Sequence, residues 1–316
     1  YGRGTRNEYR ITHCISNHFD PLDEEHTGAL LVLVRREWEA YDGWVLNHED
    51  EINDFLAMLD LDPAQVGGVI ETSPQDEQGS QTQIFQTFAS TLSNKFPTAD
   101  IMSAKAREIQ DALFNHKEYT KTRPDRRLLD WLVMEYRLFR YIEDMQFHEK
   151  IRQGFSSMEE FLSVANSITN RRKSRAGKSL ENHLAAIFMG NCLTFDAQVV
   201  TEGRKRPDFI FPGSAAYHDP SFNAQNLIVL AAKTTCKDRW RQILNEANRV
   251  RDKKKYLCTL QQGVSSKQMQ EMLDENVTLV VPAPYIARYP KAYQKDIMSL
   301  QRFIDFAKAQ EGQRFT

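Results

Sequence analysis

Two runs of almost wholly apolar residues, Leu227 to Ala232 and Val277 to Val281, constrain this chain more than anything else in it. Successive residues of a strand point to opposite faces, so a run without alternation needs cover on both. Around these runs the rhythm is strand and helix in turn. "AQVVTEG", "RPDFIF", "NLIVLAAKTT", "KKYLCTL" and "VTLVVP" read as strands. "DRWRQILNEANRV" and the stretch from Lys267 to Leu273 read as helices. The expectation is an α/β domain, a mixed or parallel sheet flanked by helices.

With 316 residues, two domains are more natural than one core. Residues 1–72 hold short β-like runs, "EYRITHCIS", "GALLVLV" and "GWVLN", with one amphipathic stretch, "EDEINDFLAMLDLD", which predicts a small β-rich unit with a helix. Residues 73–95 begin polar and rich in Gln and Ser, as linkers do, so the larger domain is placed at 96–316. It opens with helices over Ile101–His116, Arg126–Lys150 and Met158–Thr169. The basic run "NRRKSRAGK", residues 170–178, reads as a loop, before a helix capped by Ser179.

Composition mainly excludes. Forty-one Lys and Arg balance forty-three Asp and Glu, so no overall field advertises a polyanionic partner, and basic residues must be judged locally. Cys14, Cys192, Cys236 and Cys258 form no CxxC pair and the eight His show no ligand spacing, which argues against a disulfide framework or a zinc site and fits a reducing cytoplasm. No apolar run reaches the roughly 20 residues a bilayer span needs, and no signal peptide is evident. A start at Tyr1 rather than Met suggests further residues upstream.

Chemistry gathers at strand ends. Asp208 follows Pro207 in "RPDFIFP", and Lys233 closes the next long strand; neighbouring strands would bring carboxylate and ammonium together. Phosphodiester hydrolysis needs a carboxylate for a divalent cation and a positive group beside the attacked phosphate. The usual nuclease pattern also has an acid two residues before the lysine, where this chain has Ala231. Glu246, about two α-helical turns beyond Asp238, could replace it or be an ordinary solvated glutamate. A PD and AxK pair alone occurs by chance in many α/β proteins.

Four motifs in order, "TRNEYRIT", "RRKSRAGKSLE", "RPDFIFPGSAAYHD" and "AAKTTCKDRWRQILNEA", closely resemble the EcoRII-type restriction endonucleases, which cut DNA at CCWGG. The likeness runs from about Phe96 to the C-terminus and, more weakly, over residues 3–31. It implies a restriction-endonuclease-like catalytic domain preceded by a small pseudo-barrel (B3-like) effector domain that binds a second copy of the site, the Type IIE arrangement. By the same resemblance Asp208, Lys233 and the displaced Glu246 are catalytic, Asp208 and Glu246 hold Mg2+, Tyr217 belongs to an active-site loop, and Glu181 lies nearby. Lys237, Asp238 and Arg239 become the base-reading segment.

Arg and Lys donate to guanine O6 and N7 and Asp accepts from cytosine N4, which suits adjacent G·C pairs, whereas the plain alternative is a solvated helix start. Arg241 reads as a phosphate contact or a structural ion pair, Trp240 as packing, residues 170–178 as phosphate contacts or solvated surface, and His183 and His218 as structural. In "RGTRNEYR" the resemblance assigns effector contacts to Arg6, Glu8 and Arg10, with Arg3 and Asn7 as weaker candidates; alternation along a strand puts the first three on one face. The chain departs from the family in its shorter N-terminus and at Leu132, where the family has an arginine one turn before the tyrosine that corresponds to Tyr136.

The expected enzyme is therefore a cytoplasmic prokaryotic Type II site-specific deoxyribonuclease, Mg2+-dependent, acting on double-stranded DNA as a homodimer away from any membrane, with a cognate cytosine methyltransferase protecting the host. Rival readings are a repair or structure-specific nuclease on the same core and a non-cleaving DNA-binding regulator.

Overall fold

The structure, a computed structural model, describes residues 23, 26–37, 40–63, 66, 79–92, 95–202, 205–237, 239–245, 247–250 and 253–312. Near the N-terminus β1 (Leu30–Glu37) and β2 (Ala40–Leu46) pair antiparallel, followed by α1 (Glu49–Met58). This is the described part of the expected β-rich unit; "EYRITHCIS", like the rest of residues 1–22, lies outside the described residues. Helix α1 buries Ile52, Leu56 and Ala57 and leaves its acidic first turn, Glu49, Asp50 and Glu51, at the positive end of its own dipole.

The helical layer comprises α2 (Gly79–Ser90), α3 (Ala99–Phe114), the short α4 (Tyr119–Thr122), α5 (Pro124–Gln153) and α6 (Met158–Gly190). Helix α2 corrects the linker expectation for residues 79–90. Phe85 and Ala89 are buried with Met102, Ala106, Ile109, Leu138 and Phe139 of α3 and α5, so the apolar residues spaced through the polar stretch form a packed helix face.

Helix α6 corrects a second expectation. Residues 170–178 are not a loop but the middle of one 33-residue helix, and Ser179 is buried inside it rather than capping it. The cap is Ser157, whose hydroxyl accepts from Glu160 N at 3.1 Å. Arg, Lys and Ala are good helix formers and no proline interrupts them, so charge density imitated a loop where propensity favoured helix. Three of its basic side chains are paired with carboxylates, Arg172 with Glu143 and Asp60, Lys173 with Asp54 and Arg175 with Asp62, while Arg171 lies over the Phe96 ring.

The central sheet runs in the order β3 (Asp196–Ala197), β4 (Phe209–Phe211), β5 (Ile228–Lys233), β6 (Lys255–Thr259), β7 (Val277–Val280). Strand β4 is antiparallel to both β3 and β5, and β5, β6 and β7 are mutually parallel, so the sheet is mixed. Of the stretch "AQVVTEG" only Ala197 is in the sheet, because Gln198 turns into the left-handed region at φ +54°.

Both faces are covered, as the apolar runs require. Phe209, Phe211, Ile228, Leu230 and Ala232 point towards α5, α6 and α10 (Leu300–Gly312), where Phe188 meets Phe209, Phe211 and Phe303 ring against ring. Burying each such ring contributes roughly 1.5–3 kcal/mol. Ala231, Leu257 and Leu279 face Trp240, Ile243, Met269 and Tyr285, beneath α8 (Ser266–Asp274) and α9 (Ala283–Ile286). Helix α7 (Ser214–His218) carries Tyr217 against Ile210 and Val229. Asp125, at the start of α5, accepts from the backbone N–H groups of Ala283, Leu300 and Gln301, fixing three helix starts at one carboxylate.

The described residues between 239 and 250 depart from the α-helix expectation. They contain two 3-10 segments, Arg239–Asn245 and Asn248–Val250. Trp240 and Ile243, and then Ala247 and Val250, are buried at spacings of three, which three residues per turn satisfies better than 3.6.

Candidate active site

Asp208 stands one residue before β4. The register Phe209↔Leu230 places it beside the end of β5. Its Oδ2 accepts from the Ala232 backbone N–H at 2.7 Å and from Lys233 Nζ at 3.2 Å, and its Oδ1 accepts from Gln198 Nε2 at 2.7 Å. The carboxylate is buried but its ion-pair partner Lys233 is about 29% exposed, so the pair sits at the lip of a cleft. Lys233 is the last residue of β5, at the carboxyl end of the parallel strands, where open α/β sheets leave room for ligands.

A second carboxylate joins through Gln198. Its Nε2 also lies 3.1 Å from Glu181 Oε2, which in turn accepts from Lys178 Nζ at 3.0 Å. The result is a line of alternating donors and acceptors, Lys178, Glu181, Gln198, Asp208 and Lys233, from α6 to β5. The Gln198 backbone N–H donates to Asp208 O at 3.1 Å, so the residue is held by main chain and side chain together. Sequence reading missed Gln198, since a glutamine inside a strand-like stretch carries no chemical signal; the clue lies in its backbone angle.

The cleft encloses about 300 Å³ between α1, α6 and the end of β5, with Asp50, Asp54, Arg172, Arg175, Glu181 and Lys233 among its lining. Among the described residues no group of three His, Cys, Asp or Glu side chains is placed to hold a metal. Glu246, the expected third, lies outside the described residues, and with Arg239–Asn245 a 3-10 rather than an α-helical segment the two-turn spacing no longer places it.

Tyr217 is buried against Ile210 and Val229. Its hydroxyl donates to Glu202 Oε1 at 2.5 Å and accepts from the Arg249 backbone N–H at 3.2 Å, rather than meeting Asp208 or Lys233. Burial first, and the Glu202 hydrogen bond second, raise this hydroxyl above the ordinary tyrosine range, so it stays a donor. Arg249 donates to the carbonyls of Ala216 and Phe222, at 3.1 and 2.6 Å, which staples residues 216–222 to the segment at 247–250.

The expected base readers are scattered in state. Lys237 is buried, its Nζ 3.4 Å from Asn47 Oδ1 beyond β2. Asp238 lies outside the described residues, and Arg239 opens the first 3-10 segment. Arg241 pairs with Glu271 and its guanidinium lies 4.6 Å from the Trp240 ring; Trp240 itself is buried packing. Arg6, Glu8 and Arg10, with Arg3 and Asn7, lie outside the described residues. Leu132 is core, and Tyr136 donates to the Asp60 carbonyl.

His183 is structural, as read. Arg107 Nη1 lies 3.3 Å from its Nδ1, and a guanidinium only donates, so Nδ1 accepts and Nε2 carries the proton, 2.9 Å from Glu135 Oε2. Burial lowers the His183 pKa, keeping the ring neutral.

Comparison with known proteins decides the family. Residues 139–304 match the family described as EcoRII C terminal. The chain is 38% identical over 314 residues to the Type II restriction enzyme EcoRII of Escherichia coli, covering 95% of this chain and 74% of that one. The chain belongs to the EcoRII family of Type II restriction endonucleases.

A second relative of this family member is the Type II restriction enzyme SsoII of Shigella sonnei, 31% identical over 173 residues, 52% of this chain and 53% of that one. Two solved structures share the fold: Ecl18kI, metal-depleted, in complex with uncleaved, modified DNA (TM-score 0.58, 19% identity, covering 74% of this chain and 85% of that chain) and a PspGI–substrate DNA complex (0.55, 17%, 78% and 98%). As an EcoRII-family enzyme the chain is a site-specific deoxyribonuclease, and restriction endonucleases generally use divalent metal ions. The donor set fits such an ion, since Asp208 and Glu181 offer the hard oxygens that Mg2+ prefers. Among the described residues no helix is long and apolar enough to cross a membrane.

Proposed function

We propose that this enzyme cleaves duplex DNA at CCWGG or a close relative, with Mg2+ held by Asp208 and completed by Glu246. The observation that carries the reading is the single carboxylate Asp208, which takes the Ala232 N–H and Lys233 Nζ on one oxygen and turns the other towards Gln198 and Glu181. When bound, the cation would make water nucleophilic near neutral pH and offset charge on the phosphate. The backbone N–H of Ala232 fixes the angle of the Asp208 carboxylate. Lys233 stands where it can orient the attacking water and neutralise charge that develops on the phosphate oxygens. Tyr217, through Glu202 and Arg249, steadies the neighbouring loop. Lys237, Asp238 and Arg239 would read G·C pairs and Arg241 would hold phosphate or its present ion pair.

Binding at that edge requires rearrangement, because Lys237 is buried against residues beyond β2 and α1 walls the cleft. In this reading residues 1–72 are the effector unit, with Arg6, Glu8 and Arg10 on a second DNA copy, residues 73–95 a connection that includes α2, and 96–316 the catalytic domain. A palindromic-type site calls for a homodimer, one active site per strand, and a cytosine methyltransferase would protect a cytoplasmic host genome.

The test is incubation with phage DNA and Mg2+, with and without short cognate duplexes, beside Lys233→Ala and Asp208→Asn. Defined ends at one motif, absent from both variants, are expected. Ends scattered over many sequences would overturn the specificity, and equal cutting by the variants would overturn the site.

A further inference from the structure

The two carboxylates of the site share one nitrogen. Gln198 Nε2 lies 2.7 Å from Asp208 Oδ1 and 3.1 Å from Glu181 Oε2, and an amide NH2 has two hydrogens to give. Asp208 Oδ2 already receives two donors, Ala232 N–H and Lys233 Nζ. Glu181 Oε2 likewise receives Lys178 Nζ and Gln198. The oxygens with which the two carboxylates face one another are therefore those the amide occupies.

We propose that Gln198 is a positioning residue that tunes the metal affinity of the site: its amide links Glu181 to Asp208 and competes with a divalent cation for Asp208 Oδ1. The inference rests on the reading of Asp208 as a metal holder. The amide takes the edge off the repulsion of two anionic groups, stabilising the metal-free arrangement and keeping both carboxylates in place. A cation that draws on the facing oxygens must displace it. The backbone supports the role, because φ +54° at Gln198 and its N–H bond to Asp208 O hold the residue where its side chain reaches both Glu181 and Asp208. Such a backbone angle is uncommon for any residue but glycine, asparagine or aspartate.

Metal binding without DNA tests this directly. The full chain is titrated with Mn2+ and the free ion counted by electron paramagnetic resonance, for wild type, Gln198→Gly, Gln198→Glu and Asp208→Asn. Glycine accepts a positive φ freely, so it removes the amide without strain; Gln198→Glu keeps the length but puts a third carboxylate in place of the donating amide. Gln198→Gly is expected to bind Mn2+ about fivefold tighter, the equivalent of one net hydrogen bond, and Gln198→Glu tighter still. A purely structural role would weaken binding in Gln198→Gly, the variant that adds no ligand. Equal or weaker binding by Gln198→Gly, with binding lost in Asp208→Asn, would overturn the inference and leave the metal reading standing. Unchanged binding in Asp208→Asn would overturn the metal reading, and the inference with it.

Discussion

Two buried carboxylates, Asp208 and Glu135, have cationic or proton-bearing partners on neighbouring elements, and their surroundings differ in one respect. Asp208 has Lys233 at the mouth of a cleft. Glu135 has His183 and, beyond it, Arg107, in the sealed seam of α3, α5 and α6, with both acid and imidazole inaccessible. Burial would raise Glu135, but the nearness of His183 outweighs it and holds the carboxyl below its usual range. One arrangement can exchange partners with a ligand and the other cannot. Charge inside a protein thus serves chemistry only where one partner keeps a route to solvent.

Variants of the two clusters sharpen that contrast. Lys233→Ala should lower the cleavage rate by roughly 10³-fold, about 4 kcal/mol, with little change in the urea midpoint; a large stability loss would put Lys233 with the sealed cluster. Glu135→Ala leaves His183 and Arg107 facing an empty acid position and should cost roughly 3 kcal/mol in urea unfolding; a loss of activity at full stability would break the comparison from the other side.

The pH response should separate them further. His183 has a folded pKa below its ordinary value of 6.5, so the unfolded chain binds the extra proton first. Its stabilising contribution is complete above about pH 6.5 and declines as pH falls towards the folded value, by up to about 1.4 kcal/mol per pH unit. Thermal melts of wild type and His183→Gln between pH 5 and 7 should differ in slope, the variant being flatter. The smallest effect belongs to neither cluster: Ser157→Ala should cost about 1 kcal/mol through the lost cap of α6. Thermal unfolding that leaves cleavage at low temperature unchanged would confirm it as purely structural.

The sheet and the meeting of Asp208 with Lys233 were legible because they depend on local signals. The apolar runs demanded two covered faces, and Asp208 and Lys233 stood at strand ends where adjacency alone would join them. What escaped depends on distant partners. Residues 170–178 look like a loop until Asp54, Asp60, Asp62 and Glu143 are seen to neutralise them. Residues 79–90 look like a linker until α3 and α5 supply the surface that buries Phe85. Gln198 gains meaning only from a backbone turn, and the 3-10 segments differ from an α-helix by a spacing that a few buried residues decide.

Helix α6 behaves as a ruler. Arg172 and Arg175, joined to residues 57–62, and Glu181 and His183, joined to the active site and the sealed seam, are graduations on one uninterrupted rod some 50 Å long. A single residue inserted between Arg175 and Glu181 would turn everything beyond it by about 100° and leave one set of graduations on the wrong face. Point substitutions along this stretch can be absorbed one partner at a time, but a change in its length cannot, which makes the count of residues from 175 to 181 a more stringent requirement than the identity of any residue between them.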